Sequence, residues 1–270
     1  MLKTLKTTLG LAYLLIPTVL FASDKLTDYN KYFDELKFLT ISDPKPAIAN
    51  IASGFGVNQG LIYAAVSYSD FDTQTNVEGD DDGSIAFGFG LGNAASSVGG
   101  EITIGITSVS TSLWGDGKFA DEGNVSVKAH KLVAPILGGH AASVSVGATN
   151  VAGWGSTTEN PVNAYIAFSE QQNFGKYKQF GLAYTLGVGS AVSGNETEPD
   201  IFAGIGLGYD DWSLSFSQIG EESHVGATYF IPQLENLALS LSQADAFDRL
   251  NSRRMIATLS YSFQLGGAPQ

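Results

Sequence analysis

From residue 60 onward, apolar and small polar residues alternate in short segments, and this period of two constrains the fold more than any other feature. Successive side chains of a β-strand point to opposite faces, so the alternation predicts strands with two different faces. Twelve segments follow the pattern, among them residues 180–188 and 255–265. Each has about the length that a tilted strand needs to cross a bilayer. We therefore expect an all-β fold of about twelve strands, with ten and fourteen as the alternatives.

The two faces differ in composition, and the difference predicts which one points outward. One face carries Ile, Leu, Val and aromatic residues, whereas the other carries Gly, Ala, Ser and Thr, with Glu101, Lys128 and His130 as its main ionisable residues. A soluble barrel, or the alternative of a secreted β-sandwich, would need a charged exterior, yet only 15% of the residues are charged. We therefore predict a transmembrane antiparallel β-barrel, which must be closed because an open edge in hydrocarbon leaves backbone groups unpaired.

Residues 1–22 have the pattern of a secretory signal peptide. Lys3 and Lys6 precede an apolar stretch, and Ala22 suits a cleavage site. The alternative is an uncleaved transmembrane helix, for which the stretch is shorter than the required span of roughly 20 residues.

Residues 23–54 differ in composition from the predicted barrel, which we assign to residues 55–270. Four apolar residues recur at helical spacing and predict a short helix: Leu26, Tyr29, Phe33 and Leu36. Three interpretations stay open, namely a periplasmic helix against the barrel rim, a plug inside the lumen, and disorder.

The lengths of the connections predict the orientation of the barrel. With the N-terminus in the periplasm, the long connections are extracellular and the tight turn at residues 209–212 is periplasmic. Aromatic residues near strand ends predict two girdles at the membrane interfaces. The outer one contains Tyr68 and Trp154, and the inner one Tyr209, Trp212, Tyr261 and Phe263.

The last predicted strand resembles the closing strand of bacterial outer-membrane barrel proteins. Tyr261, Phe263 and Leu265 match the alternating aromatic and apolar pattern that the insertion machinery of that class reads. The resemblance covers roughly residues 55–265. It implies a bacterial outer-membrane location, with the lipid bilayer, lipopolysaccharide and the insertion machinery as partners, and it implies no particular substrate.

Composition excludes several other classes of function. The formal net charge is −13, so clustered cations for nucleic-acid binding are lacking. The absence of Cys excludes disulfides and thiolate metal sites.

His130, His140 and His224 lack a recognisable metal-ligand spacing. One short stretch is strongly acidic and contains Glu78, Asp80, Asp81 and Asp82. It lacks the residue spacing of a calcium-binding loop, and we interpret it as a solvated outer loop. No cofactor is predicted.

Ser217 and His224 are the strongest candidates for catalysis. With a hairpin loop at residues 218–223 they lie opposite each other on the lumen face, close to two glutamates, as a lipid hydrolase at the barrel rim would require. Ser is abundant on this face, however, so such a coincidence is expected by chance. The prediction is therefore that the chain is not an enzyme, and the hydrolase is a remote alternative.

The small residues of the lumen face predict a function in transport. Eight strands are already filled by their own side chains, so about twelve strands lined by small residues leave empty volume. We expect a porin-like passive channel for small solutes, unless the N-terminal segment blocks it. The alternative is a non-conducting barrel with a structural or surface-interaction role.

Overall fold

A computed structural model describes residues 46–71, 82–107, 120–175, 179–192, 198–234, 236–250 and 252–265, and the strands among them form one sheet closed on itself. Neighbouring strands follow chain order and are antiparallel, and β1 closes the barrel against β12. The predicted closed barrel of twelve strands is confirmed. The strands are β1 Leu61–Phe71, β2 Asp82–Gly92, β3 Gly99–Ile106, β4 Gly123–Val133, β5 Ala141–Trp154, β6 Asn163–Phe174, β7 Phe180–Gly189, β8 Asp200–Tyr209, β9 Trp212–Ile219, β10 Glu222–Phe230, β11 Leu237–Ala244 and β12 Arg254–Gln264.

The bulky apolar face of the strands points outward, as the composition of the two faces predicts. Val66, Leu186 and Leu214 are 54%, 58% and 62% exposed on the outside of the barrel. Ser143 and Ser217, on the opposite face, are buried. A closed barrel with an apolar exterior and a polar interior has the organisation of an outer-membrane-type transmembrane barrel.

The two ends of the barrel differ in their connections. Residues 210–211 join β8 to β9 at the end that we interpret as periplasmic, and most connections at the other end are longer. One outer connection is shorter than the predicted loop at residues 218–223. Ile219 and Glu222 still pair with each other, so only residues 220–221 form the turn, in which Gly220 has a φ of 55°.

Aromatic side chains form a belt at the periplasmic end. The ring centroids of Trp212 and Tyr229 lie 4.5 Å apart, and the belt also contains Phe174, Phe180, Tyr209, Tyr261 and Phe263. At the opposite end Tyr68 is 42% exposed. Trp154 is only partly exposed, and its indole N–H donates to the carbonyl oxygen of Ala120 at 2.8 Å.

Several predicted features lie outside the described residues. These are the signal peptide at residues 1–22, the helix with its stripe from Leu26 to Leu36, and the acidic residues Glu78, Asp80 and Asp81, whereas Asp82 begins β2. The described part contains no α-helix, and its one helical segment is the 3₁₀ turn Gly155–Glu159. Within that part, no helix has the length and hydropathy needed to cross a membrane.

Candidate functional site in the lumen

Residues 46–59, which precede β1, lie inside the barrel, and we name them the lumen arch. Its first leg follows β9. The N–H of Ala47 donates to the hydroxyl of Ser213 at 2.8 Å, and the hydroxyl of Ser217 donates to the carbonyl oxygen of Ala49 at 3.0 Å. Ser213 lies near the periplasmic start of β9 and Ser217 near its outer end, so this leg rises through the lumen.

The arch turns at Asn50 and descends along the opposite wall. Asn50 has a φ of 57°, a left-handed conformation that Asn adopts more readily than most residues. In the second leg the N–H of Gly54 donates to the hydroxyl of Ser169 at 2.8 Å. At the base, the amide of Gln264 donates to the carbonyl oxygen of Gln59 at 2.9 Å. The arch therefore enters and leaves at the periplasmic end.

Glycines of the wall leave the space that the arch occupies. A Cβ atom placed on Gly206 would lie 2.3 Å from the carbonyl oxygen of Ala47, and one on Gly90 would lie 2.0 Å from that of Asn58. Any larger residue at either position would push the arch away. The small residues of the lumen face are thus complementary in shape to the arch.

Apolar side chains fill the lumen between the arch and strands β6 to β9. Ile51 of the arch is 2% exposed and belongs to one cluster with Tyr165, Phe202 and Ile219 of the wall. Val192, from the connection between β7 and β8, joins this cluster from the outer end. This side of the lumen is therefore packed like the core of a soluble protein and is not open to water.

Glu101 and Lys128, both predicted to face the lumen, form an ion pair there. Their charged groups lie 2.8 Å apart, and the side chains are 8% and 10% exposed. Three further contacts fix the pair. Tyr63 donates its hydroxyl to Glu101 at 2.9 Å, the N–H of Val57 donates to Glu101 at 3.3 Å, and the ammonium of Lys128 donates to the carbonyl oxygen of Phe55 at 3.0 Å. The pair therefore ties the descending leg of the arch to β3 and β4.

His130 also faces the lumen and lies between two glycines. Cβ atoms placed on Gly56 of the arch and on Gly99 of β3 would each approach its ring to 2.4 Å. The imidazole is 3% exposed. It thus serves as a packing element beneath the arch.

Ser217 and His224 lie opposite each other in the β9–β10 register, as predicted. Their polar groups nevertheless have other partners. The hydroxyl of Ser217 binds Ala49, while the two ring nitrogens of His224 lie 3.2 Å from the amide nitrogen of Asn50 and 3.4 Å from the carboxylate of Glu222. Both side chains are 1% exposed. This arrangement provides neither a serine–imidazole contact nor access for a substrate, and it does not support the hydrolase alternative.

Two partners of this cluster were not recognised in the sequence. Arg254 lies 2.5 Å from the carboxylate of Glu222, and Asn50 of the arch also donates to the hydroxyl of Ser242 at 2.9 Å. Alternation in β12 would have placed Arg254 on the lumen face, because Met255 points outward. Nothing in the sequence pattern places Asn50, since it precedes the first strand.

The three histidines lie on different elements. In the described part of the chain, no three His, Asp or Glu side chains are grouped to hold a metal ion.

No family model and no curated protein matches this chain. Solved structures with a similar fold include an outer membrane channel from Pseudomonas putida F1. Its identity with this chain is 11%, the match covers 80% of this chain and 100% of that one, and the TM-score is 0.43. The outer membrane protein Omp33 from Acinetobacter baumannii has 11% identity over 77% of this chain and 100% of that one, with a TM-score of 0.40. A mutant porin of Rh. blastica has 9% identity over 75% of this chain and 99% of that one, with a TM-score of 0.32.

The class of the molecule follows from its own exterior and interior. Closure satisfies the backbone groups of every neighbouring strand pair, and the outward apolar side chains suit hydrocarbon. The chain is a β-barrel of the bacterial outer-membrane type, with its lumen occupied by the lumen arch.

Proposed function

We propose that the chain is an outer-membrane channel for small polar solutes and that the lumen arch closes it. The observation that carries the proposal is the way in which the wall holds the arch. Hydroxyls of Ser145, Ser169, Ser213 and Ser217 bind backbone groups of the arch. Water replaces such partners at little cost when a segment leaves, since it forms hydrogen bonds of comparable strength.

The width of the barrel supports the same proposal. Barrels of eight strands are filled by their own side chains. Here twelve strands enclose enough space for a chain segment that rises, turns and descends. With the arch displaced, the space that it occupies opens along the lumen, bordered on one side by Tyr165, Phe202 and Ile219 and elsewhere largely by Gly, Ala, Ser and Thr.

A permanently closed structural barrel is the second candidate, and one observation favours it. Ile51 and Phe55 of the arch are each 2% exposed, so displacement of the arch exposes apolar surface to water. The two candidates differ in what happens when the arch is removed.

Planar-bilayer recording of the full chain and of a variant lacking residues 24–59, which include the whole lumen arch, tests the proposal. We expect the full chain to open only briefly, and the deletion variant to conduct steadily. Heat-modifiable migration in gel electrophoresis shows whether the deletion variant has folded. A folded deletion variant without conductance would overturn the channel proposal in favour of the structural barrel.

A crosslink tests the role of the arch in the full chain, which contains no Cys. A Cβ atom on Gly226 would lie 2.9 Å from the Cβ of Ala49, near enough for a disulfide after a small shift. We expect Ala49→Cys with Gly226→Cys to lose all openings when oxidised and to regain them on reduction. Ala49→Cys alone is the matched control. Openings that persist in the oxidised protein would show that the arch is not the gate.

A further inference from the structure

Glu170 of β6 is a carboxylate on the outward face of the barrel. It has the same parity as Ile166, which is 55% exposed, and as Phe174 of the aromatic belt, whereas its neighbour Ser169 faces the lumen. Strands β5, β6 and β7 pair in regular register around it. A charged side chain at this position would face lipid, yet Glu170 is 0% exposed.

The connection between β4 and β5 covers this carboxylate. Backbone N–H groups of Ile136, Leu137 and Gly139 donate to it at 2.8, 3.0 and 2.7 Å. Ala142 also has outward parity and pairs with Glu170, and it is only 1% exposed. The connection therefore folds back over the outer surface of the wall.

The position of Glu170 gives the depth of this loop. Glu170 precedes Phe174 by four residues, and a strand rises about 3.3 Å per residue with a tilt near 40°, so the carboxylate lies about 10 Å above the belt. The loop residues that bind it are therefore at hydrocarbon depth.

Irregular backbone at this depth needs partners for its polar groups, because lipid offers none. Pro135 has no N–H, and the N–H groups of Ile136, Leu137 and Gly139 bind Glu170. The N–H of His140 donates to the carbonyl oxygen of Gln171 at 2.7 Å. The carboxylate thus supplies acceptors for three N–H groups of the loop that lipid would leave unpaired.

Ile136 and Leu137 are the two most exposed large apolar side chains of the described residues, at 74% and 68%. They lie on the outer side of the loop that binds Glu170, and they continue the apolar surface that Glu170 would otherwise interrupt. We propose that residues 135–140 form a lipid-immersed loop, docked on Glu170, whose Ile136 and Leu137 contact phospholipid acyl chains of the periplasmic leaflet.

Spin labelling tests the proposal in the full chain, since the sequence contains no Cys. A nitroxide is attached to Ile136→Cys in phosphatidylethanolamine–phosphatidylglycerol vesicles, and its collisions with oxygen and with a water-soluble nickel chelate are compared. Leu186→Cys is the lipid control, at 58% exposure in the wild type. Leu234→Cys, in the β10–β11 connection at the same end and 55% exposed, is the control for an apolar turn residue.

We expect the label at position 136 to collide with oxygen and to be protected from nickel, as at position 186. Nickel accessibility equal to that at position 234 would overturn the proposal. Spin–spin broadening between labels would also overturn it, because a second copy of the chain would then cover the loop.

Glu170→Gln, combined with Ile136→Cys, tests the docking step. A carboxamide has one acceptor oxygen and adds donors, so it cannot accept all three N–H groups of the loop. We expect nickel accessibility at position 136 to rise toward that of position 234, in protein that remains heat-modifiable. An unchanged value would show that Glu170 does not hold the loop.

Discussion

Glu101 and Lys128 are stable in the lumen because each has the opposite charge of the other within reach. Glu101 and Lys128 are Cα partners across the β3–β4 pair, and both side chains are buried. A buried pair of this kind contributes little net stability, whereas one member alone is costly because its charge stays buried without compensation.

Lys128→Met therefore tests how far Glu101 depends on its partner. We expect this variant to lose about 3–5 kcal/mol in the free energy of unfolding, and Glu101→Gln with Lys128→Met to lose much less. Urea unfolding in phospholipid vesicles measures both. Equal losses in the single and double variants would mean that the ion pair is not the reason for the destabilisation.

Alternation in the sequence predicted that Glu101, Lys128, His130, Ser217 and His224 share one face, and the structure places all five in the lumen. It could not predict their partners. The pairing of Glu101 with Lys128 depends on strand register, which alternation defines only as odd or even. Glu222 and Arg254 meet although β11 lies between their strands.

At the scale of elements, the strands were predictable, whereas a segment inside the lumen was only one of three alternatives that the sequence left open for residues 23–54. Each strand carries its own two-residue period, so local sequence is enough to identify it. Residues 46–59 carry no period of two that would assign them to a strand. Its partners Ser213 and Ser242 are 166 and 192 residues away in sequence. Composition separates residues 23–54 from the barrel, but it assigns no contact to them.

The fit between arch and wall predicts different effects for two lumen-facing glycines. Gly206→Ala places a Cβ 2.3 Å from the backbone of Ala47, whereas a Cβ on Gly105 meets only the side chain of Asn124, at 3.5 Å. We expect Gly206→Ala to cost about 1–3 kcal/mol in the free energy of unfolding and to increase channel openings. Gly105→Ala should stay within about 0.5 kcal/mol of wild type. Similar values for both variants would contradict the arch geometry.

For the whole molecule, the orientation of the two faces determines every other interpretation. The exposed large apolar residues surround the barrel on all sides, so no single interface with another protein accounts for them. The apolar clusters of the lumen, by contrast, are small and depend on the arch. Burial in a bilayer explains both observations. Acyl chains cover the apolar exterior, and the lumen therefore does not need a large apolar core of its own.

A membrane-spanning barrel makes the cost of a charge depend on depth, which a barrel surrounded by water does not. Ile205 and Ile201 lie on the same face of β8, 48% and 62% exposed, with Ile205 in the middle of the strand and Ile201 next to its outer end. We expect Ile205→Arg to destabilise the barrel by about 2–4 kcal/mol and Ile201→Arg by about 0–1 kcal/mol, in urea unfolding from phospholipid vesicles. In water both arginines would be solvated alike, so equal and small losses would contradict the transmembrane orientation. Because the strand, the face and the substituted side chain are the same, the difference between the two variants reports the depth of lipid around the barrel.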